Sequence, residues 1–229
     1  MAKEILVVED SPEIRILIES SLEDYRPFFC ATLKDATQAM SRQNFQLIIL
    51  DIGLPDGDGL RFLAELAGKP ETRSIPVMIL SARTDTANKV MAFSIGAEDF
   101  ITKPFDPIEL KARVAAKLRK FEKDASRSEI IKVGDLELDL LKQKVQLATK
   151  IGSELLDLTT LEFRLLTFFA KSPDRVLARD TLLNSVWGYD VNITDRTVDT
   201  HIAHLRKKIA HSKCKIETVI GSGYRFVVE

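Results

Sequence analysis

The sequence lacks the features that would place it in several common classes of protein. Its 229 residues include only two cysteines, Cys30 and Cys214, which stand too far apart to indicate a disulfide framework or a zinc site. No segment approaches the roughly 18 uninterrupted apolar residues of a transmembrane helix. Acidic residues as early as Glu9 and Asp10 do not fit a secretory signal. The sequence therefore predicts a cytoplasmic protein with reduced thiols and no membrane partner.

The whole chain also has no strong excess of either charge, but the sign changes along it. The net charge is −1. Residues 1–125 hold 17 Lys and Arg against 20 Asp and Glu, a balance of −3, and residues 126–229 hold 16 against 14, a balance of +2. From Arg196 to Arg225 there are 7 basic and 2 acidic residues, together with all three histidines. Such a concentration is typical either of a solvated face or of a nucleic-acid surface.

The hydrophobic pattern of the first half predicts a doubly wound α/β domain. Short apolar runs alternate with segments whose apolar residues recur every three or four positions, as in a parallel sheet covered by helices. The periodicity ends near residue 121 in a polar stretch, so we expect a first domain over residues 1–121 and a linker over residues 122–128. The predicted strands are residues 4–8, 28–32, 46–50, 75–80 and 99–102.

The second half, residues 129–229, predicts a smaller domain of another kind. Brief alternating runs over residues 130–156 favour an antiparallel sheet. Thr159 and Glu162 have capping-box spacing and should open a helix. The sequence GSG between two β-rich runs predicts a closing hairpin. The remaining helices are expected at about residues 179–187 and 195–209.

Charged and polar side chains follow four predicted strands of the first half. Any one of them could be an ordinary strand terminator, but ligands of doubly wound sheets bind beyond the carboxyl ends of the strands. We therefore expect a site where they meet. Its members are Glu9 and Asp10 after the first strand, Asp51 at the third, Ser81 after the fourth and Lys103 after the fifth.

The chemistry of this set favours phosphoryl transfer. Carboxylate oxygens suit Mg²⁺, and a bound Mg²⁺ with the ammonium of Lys103 would attract a phosphate dianion. The carboxylate of Asp51 can attack phosphorus to form an acyl phosphate, while the cations neutralise the transferred group. Ser81 offers a small hydrogen-bond donor to that group.

Four motifs resemble the receiver domain of bacterial response regulators over about residues 3–120. They are VVED (7–10), LDIGLPDGDG (50–59), LSAR (80–83) and GAEDFITKPF (96–105). The resemblance implies a flavodoxin-like fold with strand order 2-1-3-4-5, phosphorylated by a sensor histidine kinase. A cis peptide bond before Pro104 is also implied. The site residues implied are the phosphoacceptor Asp51, the Mg²⁺ ligands Glu9, Asp10, Asp51 and Gly53 (backbone carbonyl), and the phosphoryl-contact and switch residues Ser81, Lys103 and Phe100.

Two alternatives bear on these residues. The resemblance implies that Phe100 turns inward when Ser81 moves to the phosphoryl group. An ordinary core aromatic would also point inward, so this alternative stays open. Phosphatases of the haloacid-dehalogenase type also use a carboxylate nucleophile, but they place a second Asp two residues after it, where this chain has Gly53. We therefore expect no turnover of an external substrate.

The third helix of the second half has two distinct faces on a 3.6-residue wheel. Val198, Ile202, Leu205 and Ile209 form a narrow apolar stripe, which predicts the buried face. The opposite side carries Arg196, Thr200, Ala203, His204 and Lys207. A solvated face is one interpretation; the other, given the helix before it and the hairpin after it, is a winged helix-turn-helix with this helix in the major groove.

The second half resembles the effector domain of the OmpR/PhoB subfamily, through LTTLEFRLL, RDTLLNSVWG, DRTVDTHIAHLRKKI and IGSGYRF. Ala203 and His204 stand where well-studied members carry basic side chains, and Ile220 where some carry a wing arginine. Fewer basic side chains on this surface would release fewer counterions from DNA, so we expect modest non-specific affinity for DNA and a shallow dependence of binding on salt. The resemblance implies DNA binding by Arg196, Thr197, Thr200, His201, His204, Arg206, Lys207 and Arg225.

The same comparison implies a receiver dimer. Six charged residues match positions that pair across a two-fold interface, and the three pairs have opposite signs. Exposed pairs contribute only about 0–1 kcal/mol each, so they would set the register of the dimer more than its strength. The pairs are Lys89–Glu109, Asp99–Arg113 and Glu98–Lys120.

Together these observations predict a transcription regulator that phosphorylation activates and dimerises. The expected partners are a sensor histidine kinase and double-stranded DNA with repeated half-sites, and the loop over residues 188–195 is a candidate contact for RNA polymerase. A phosphorylation-independent winged-helix DNA binder with a receiver-like dimerisation domain is the alternative.

Overall fold

The computed structural model describes residues 3–82, 86–125, 130–150, 152–187 and 195–229, and only the backbone of residues 119–125 and 195. The chain divides into two compact units, residues 1–121 and residues 122–229. Residues 188–194 of the predicted polymerase-contact loop, the side chain of Lys120 and residues 126–128 of the predicted linker lie outside the described residues.

The first unit alternates strands and helices as its hydrophobic pattern predicts. Its elements are β1 (Glu4–Val8), α1 (Pro12–Ser21), β2 (Arg26–Cys30), α2 (Leu33–Met40), β3 (Leu47–Asp51), β4 (Gly53–Leu54), β5 (Gly57–Asp58), α3 (Gly59–Gly68), β6 (Val77–Ser81), α4 (Thr86–Ile95), β7 (Asp99–Thr102) and α5 (Pro107–Ala125).

Five of these strands form a parallel sheet in the order β2-β1-β3-β6-β7, while β4 and β5 pair only with each other. Among the sheet strands alone this order is 2-1-3-4-5, so the predicted fold class is confirmed. One face of the sheet, including Val7 and Ile49, packs with Ile18 of α1 and Val114 of α5 in a buried cluster. Strands buried on both faces need continuous apolar runs, which explains the composition of β3.

Several boundaries differ from the prediction by one to a few residues, and those of β2 and α5 have clear causes. β2 begins two residues earlier than expected and includes Pro27, which an edge strand tolerates because one side of it has no partner. It also ends earlier, because Thr32 leaves the strand to cap α2. α5 continues through Ala125 and takes the first residues of the predicted linker into the helix.

In its described residues, the second unit contains two small antiparallel sheets and three helices. Its elements are β8 (Ile130–Val133), β9 (Leu136–Asp139), β10 (Lys144–Thr149), β11 (Gly152–Leu156), α6 (Thr160–Ala170), β12 (Val176–Leu177), α7 (Arg179–Val186), α8 (Asp195–Lys208), β13 (Cys214–Val219) and β14 (Gly223–Val228).

Sequence signals for this unit are confirmed in detail. One sheet has the order β11-β10-β9-β8 and the other β12-β14-β13, the latter containing the predicted closing hairpin. The capping box of α6 is present: the amide of Glu162 donates to Thr159 Oγ1 over 3.3 Å, and the amide of Thr159 donates to the Glu162 carboxylate over 2.8 Å. The unit therefore has the helices and hairpin of a winged helix-turn-helix domain.

Candidate phosphoryl-acceptor site and nucleic-acid interface

The strand register brings the predicted site residues to one edge of the first unit. Val8 of β1 lies opposite Leu50 of β3, so Glu9 and Asp51 follow at the same level. Asp51 pairs in turn with the residue of β6 that precedes Ser81. The apolar strands thus fix these side chains in position through backbone pairing.

Lys103 links two of the carboxylates. Its Nζ lies 2.6 Å from Glu9 Oε2 and 2.6 Å from Asp51 Oδ2. The amide of Lys103 donates to the carbonyl of Ser81 over 2.8 Å, which ties its backbone to the end of β6. The peptide bond from Lys103 to Pro104 is cis, as the resemblance implies. A single ammonium therefore neutralises part of the negative charge at this edge.

The carboxylates form a cluster suited to a hard cation. One oxygen from each of Glu9, Asp10 and Asp51 lies within 4.8 Å of the others. Burial raises the pKa of Glu9, although the hydrogen bond and the charge of Lys103 lower it in part. Three carboxylates exceed the charge of one ammonium, and Asp10 is exposed, which leaves room for water. Carboxylate oxygens with an open side fit Mg²⁺.

The turn after Asp51 is tightly constrained. The amide of Gly53 donates to Asp51 Oδ1 over 3.1 Å and orients the carboxylate. At Gly59 a Cβ would lie 2.3 Å from the backbone oxygen of Asp51, so only glycine permits this close approach. Asp58 then caps α3 through the amide of Leu60.

The two predicted switch residues are buried. Ser81 is 1% exposed and Phe100 9% exposed. The centroid of the Phe100 ring lies 6.5 Å from that of the Phe93 ring, and the side chain points inward. This orientation fits both a switch residue in its inward state and an ordinary core aromatic. Lys89 Nζ lies 5.6 Å from the centroid of the Phe100 ring, a cation–π contact that the sequence did not indicate.

The predicted dimer residues already form contacts within the chain. Arg113 lies 3.1 Å from Asp99 and 2.8 Å from Glu109. Lys117 adds a further ion pair to Asp99 over 3.3 Å. Sequence reasoning missed Lys117, although its position one helical turn after Arg113 places it on the same face of α5.

Glu98 differs from the expectation for an interface residue. It is 2% exposed, and its backbone carbonyl accepts a hydrogen bond from Lys117 Nζ over 2.7 Å. Its amide pairs with the carbonyl of Val77 over 2.8 Å, which draws the residue inward just before β7. An interfacial pair from Glu98 to Lys120 is therefore not supported by the position of Glu98.

Helix α8 has the predicted buried stripe. Val198, Ile202 and Leu205 are 0% exposed. Arg196, His204 and Lys207 are exposed, and Thr200 is half-buried. These polar residues form a continuous outward surface on the helix that follows α7, as the helix-turn-helix interpretation predicts.

Two of the predicted DNA-binding residues are buried, which corrects their assignment. Thr197 is 0% exposed and His201 2% exposed. The His201 ring packs 5.3 Å from the ring of Trp187 and 6.3 Å from that of His204. The cause is the width of the apolar stripe: Val198 and His201 are three residues apart, a spacing that belongs to the same face of a helix. His201 therefore belongs to the buried side of α8 and not to its exposed side.

Arg206 contacts the hairpin. Its Nε donates to the carbonyl of Ile216 and its Nη2 to Thr218 Oγ1, each over 2.8 Å. Its guanidinium also lies 5.5 Å from the centroid of the Tyr224 ring. This residue joins α8 to β13, a role that its sequence position did not reveal.

Tyr224 extends the same connection to α7. Its hydroxyl donates to Asp199 Oδ1 over 2.5 Å, and Arg179 Nε donates to the same oxygen over 2.8 Å. Burial opposes ionisation of Asp199, but these hydrogen bonds outweigh it and lower the pKa of the carboxyl below its ordinary value. Both helices and the hairpin are thus held together by one hydrogen-bonded cluster.

Arg225 is paired with an acidic neighbour. Its Nη2 lies 2.7 Å from the carboxylate of Glu217, the residue directly opposite on β13. The two side chains are about equally exposed, at 44% and 47%. The charge of Arg225 is therefore balanced within the hairpin.

Comparisons with known proteins agree with this architecture. Residues 5–115 match the model of the response regulator receiver domain, and residues 152–226 match that of the transcriptional regulatory protein C-terminal domain. A receiver followed by a DNA-binding effector defines a two-component response regulator. The chain belongs to the OmpR/PhoB family of these regulators.

Relatives match over almost the full chain. The phosphate regulon transcriptional regulatory protein PhoB of Klebsiella pneumoniae is 41% identical over 99% of this chain and 98% of its own length. The alkaline phosphatase synthesis transcriptional regulatory protein PhoP of Bacillus subtilis is 36% identical over 98% and 97%. A solved structure of a RitR cysteine-to-aspartate mutant is similar over 98% of each chain, with a TM-score of 0.72 and 27% identity.

These findings define the protein as a phosphorylation-activated transcriptional response regulator. They do not favour the alternative of a phosphorylation-independent DNA binder. Among the described residues, no helix combines the length and apolarity needed to cross a bilayer.

Proposed function

We propose that Asp51 accepts the phosphoryl group from a sensor histidine kinase. The observation that carries this proposal is the position of Lys103 Nζ, 2.6 Å from both Asp51 and Glu9. In the transfer, an Asp51 carboxylate oxygen forms a bond to phosphorus as the bond from phosphorus to the imidazole nitrogen breaks. The electron pair and a proton remain with the leaving histidine.

Glu9, Asp10, Asp51 and the carbonyl of Gly53 would hold Mg²⁺ next to the acceptor. When bound, the metal supplies positive charge to the transferred oxygens and reduces the repulsion between the carboxylates. Lys103 can contact the new phosphoryl group once its pairing with Asp51 is released. Ser81, at the end of β6, would donate a hydrogen bond from its hydroxyl to the phosphoryl group. Phe100 would change its orientation together with Ser81 on phosphorylation.

A Mg²⁺-dependent phosphodonor tests this site. Incubation with acetyl phosphate should label the native protein, and Asp51→Asn should abolish the labelling. Asp35→Asn on α2 is the matched control and should label normally. Asp56→Asn is not suitable, because Asp56 belongs to the loop that follows Asp51 and binds the first amides of α2. Persistent labelling of the Asp51→Asn protein at another residue would refute the assignment.

Dimerisation is proposed to use the face formed by α4, β7 and α5. Lys89 and Glu109 offer charges of opposite sign there, and Arg113 can exchange its internal partner Asp99 for that of a second copy. Phosphorylation should therefore strengthen dimerisation in the cytoplasm, and Glu109→Lys should weaken it. Analytical ultracentrifugation measures both, with Glu65→Lys on α3 as the control because Glu65 forms a similar i,i+4 pair elsewhere. A phosphorylated native protein that remains monomeric would contradict this interface.

The DNA-binding surface is proposed to consist of the outward side of α8 and the hairpin. Arg196 and Lys207 would contact phosphates, while Thr200 and His204 would contact the bases; Arg196, His204 and Lys207 are exposed, which supports this proposal. Arg206 and Arg225 contribute after exchanging their internal partners. An RNA polymerase contact through the loop over residues 188–195 remains a prediction. Arg196→Ala should weaken binding to all DNA sequences about equally and lower the salt slope by about one.

A further inference from the structure

Asp56 contacts the amino-terminal end of α2 from a different part of the chain. Its Oδ1 accepts a hydrogen bond from the amide of Leu33 over 2.9 Å, and its Oδ2 accepts one from the amide of Lys34 over 3.0 Å. These are the first two amides of the helix, which have no partner within it. The hydrogen bond from the amide of Leu33, together with that from Lys34, lowers the pKa of the exposed Asp56 carboxyl, so this carboxyl stays ionised. Asp56 is therefore an anionic cap that α2 receives from the loop after β3.

The same loop packs closely on α2 beside this cap. A Cβ at Gly57 would lie 2.9 Å from Leu33 Cδ1, which shows how little space separates loop and helix. Thr32 and Asp35 already form a cap within α2, with the amide of Asp35 donating to Thr32 Oγ1 over 3.0 Å. The helix thus has its own cap, and the bidentate contact from Asp56 fixes the loop as well as the helix.

Asp56 lies at the tip of a minimal hairpin whose other end is the acceptor site. Gly53 of β4 pairs with Asp58 of β5, and Leu54 pairs with Gly57. Gly53 also donates to Asp51 Oδ1 over 3.1 Å. Two backbone pairs therefore separate the contact with α2 from the residue whose carbonyl would face the cation.

We propose that Asp56 is a positioning residue for the cation site: by fixing the hairpin to α2, it holds the carbonyl of Gly53 in the orientation that binds Mg²⁺. This inference rests on the proposed Mg²⁺ site. Asp56 itself does not contact the cation or the phosphoryl group. Its removal should raise the Mg²⁺ concentration needed to fill the site without changing the carboxylate ligands.

Magnesium titration of the full chain, followed through the backbone amide resonance of Gly53, tests the proposal without any phosphoryl donor. Asp56→Ala should raise the half-saturating Mg²⁺ concentration about threefold to tenfold, the effect of losing one or two net hydrogen bonds. Hydrogen exchange at the amides of Leu33 and Lys34 should accelerate in the same variant. Asp56→Asn keeps one acceptor and should show a smaller rise, so it tests the idea if the alanine variant folds poorly.

Asp35→Asn is the matched control, because it removes a carboxylate from the first turn of α2 without touching the hairpin. Its half-saturating Mg²⁺ concentration should stay within about twofold of native. A rise equal to that of Asp56→Ala would overturn the proposal, because helix stability alone would then explain the effect. Unchanged Mg²⁺ binding in both Asp56 variants would overturn it directly. Absence of any Mg²⁺ response in the native protein would instead overturn the proposed cation site and this inference with it.

Discussion

Replacing Lys103 by Met should destabilise the receiver unit and at the same time make it more dependent on Mg²⁺. The substitution keeps most of the side-chain stem but removes the ammonium that pairs with Glu9 and Asp51. Those carboxylate side chains are 1% and 10% exposed, so the repulsion between them is weakly screened. Asp10, which carries the third carboxylate of the cluster, adds to it.

The magnitude follows from the burial of the pair. Removing one partner of a buried ion pair costs about 3–5 kcal/mol. Here the cost should lie at about 2–3 kcal/mol, because the raised pKa of Glu9 lets this residue take up a proton in place of the lost ammonium. For a unit of this size, such a loss lowers the melting temperature by about 6–15 °C.

Thermal unfolding followed by circular dichroism, with and without MgCl₂, measures the effect. Mg²⁺ should stabilise the Lys103→Met protein more than the native protein, since the metal then supplies positive charge in place of the lost ammonium. Adding Asp51→Asn to Lys103→Met should recover part of the loss, because it removes one of the repelling carboxylates. A variant that melts at the native temperature without Mg²⁺ would refute the electrostatic account of the site.

Three further predictions concern other contacts. The pKa of Glu9 is raised, so the stability that its protonated form contributes is present below the ordinary value of 4.5 and is lost as pH rises through the folded pKa. Protons should therefore compete with Mg²⁺, and the affinity for Mg²⁺, measured by calorimetry, should fall as the pH is lowered from neutrality towards 4.5. Lys208→Met leaves Glu162 buried without its 2.6 Å partner and should cost about 2 kcal/mol in urea unfolding of the effector unit; a loss below about 0.5 kcal/mol would contradict a stabilising role for the pair. Glu217→Gln releases Arg225 and should raise DNA affinity and steepen the salt slope by up to about one in fluorescence anisotropy, whereas Glu154→Gln on β11 should change neither.

Local periodicity was sufficient to predict a doubly wound α/β domain and the convergence of its carboxylates, whereas the strand order 2-1-3-4-5 was implied by the resemblance to receiver domains. Apolar runs such as Leu47–Leu50 mark buried parallel strands, and side chains at their carboxyl ends meet because the strands run in one direction. The contacts of Asp56 with α2 could not be predicted, because they join residues 22 and 23 positions apart through a loop whose path depends on the assembled sheet.

In the effector unit, residue type and helical position did not decide which polar side chains of α8 are available to DNA. The resemblance implies that His201 binds DNA, yet packing against the aromatic ring of Trp187 makes its position part of the interior. Arg206 likewise has the charge of a phosphate contact, but the hairpin provides acceptors that only the tertiary structure brings within reach. Composition indicates the kind of partner, while tertiary contacts decide which side chains are available to it.

The central claim is that phosphorylation of Asp51 controls DNA binding, and genome-wide footprinting on purified genomic DNA tests it most directly. The native protein treated with acetyl phosphate and Mg²⁺ should protect a defined set of sites with repeated half-sites, and the untreated protein should protect them weakly. The Asp51→Asn protein should give the weak pattern under both conditions. Equal protection by the treated native and Asp51→Asn proteins would contradict the account.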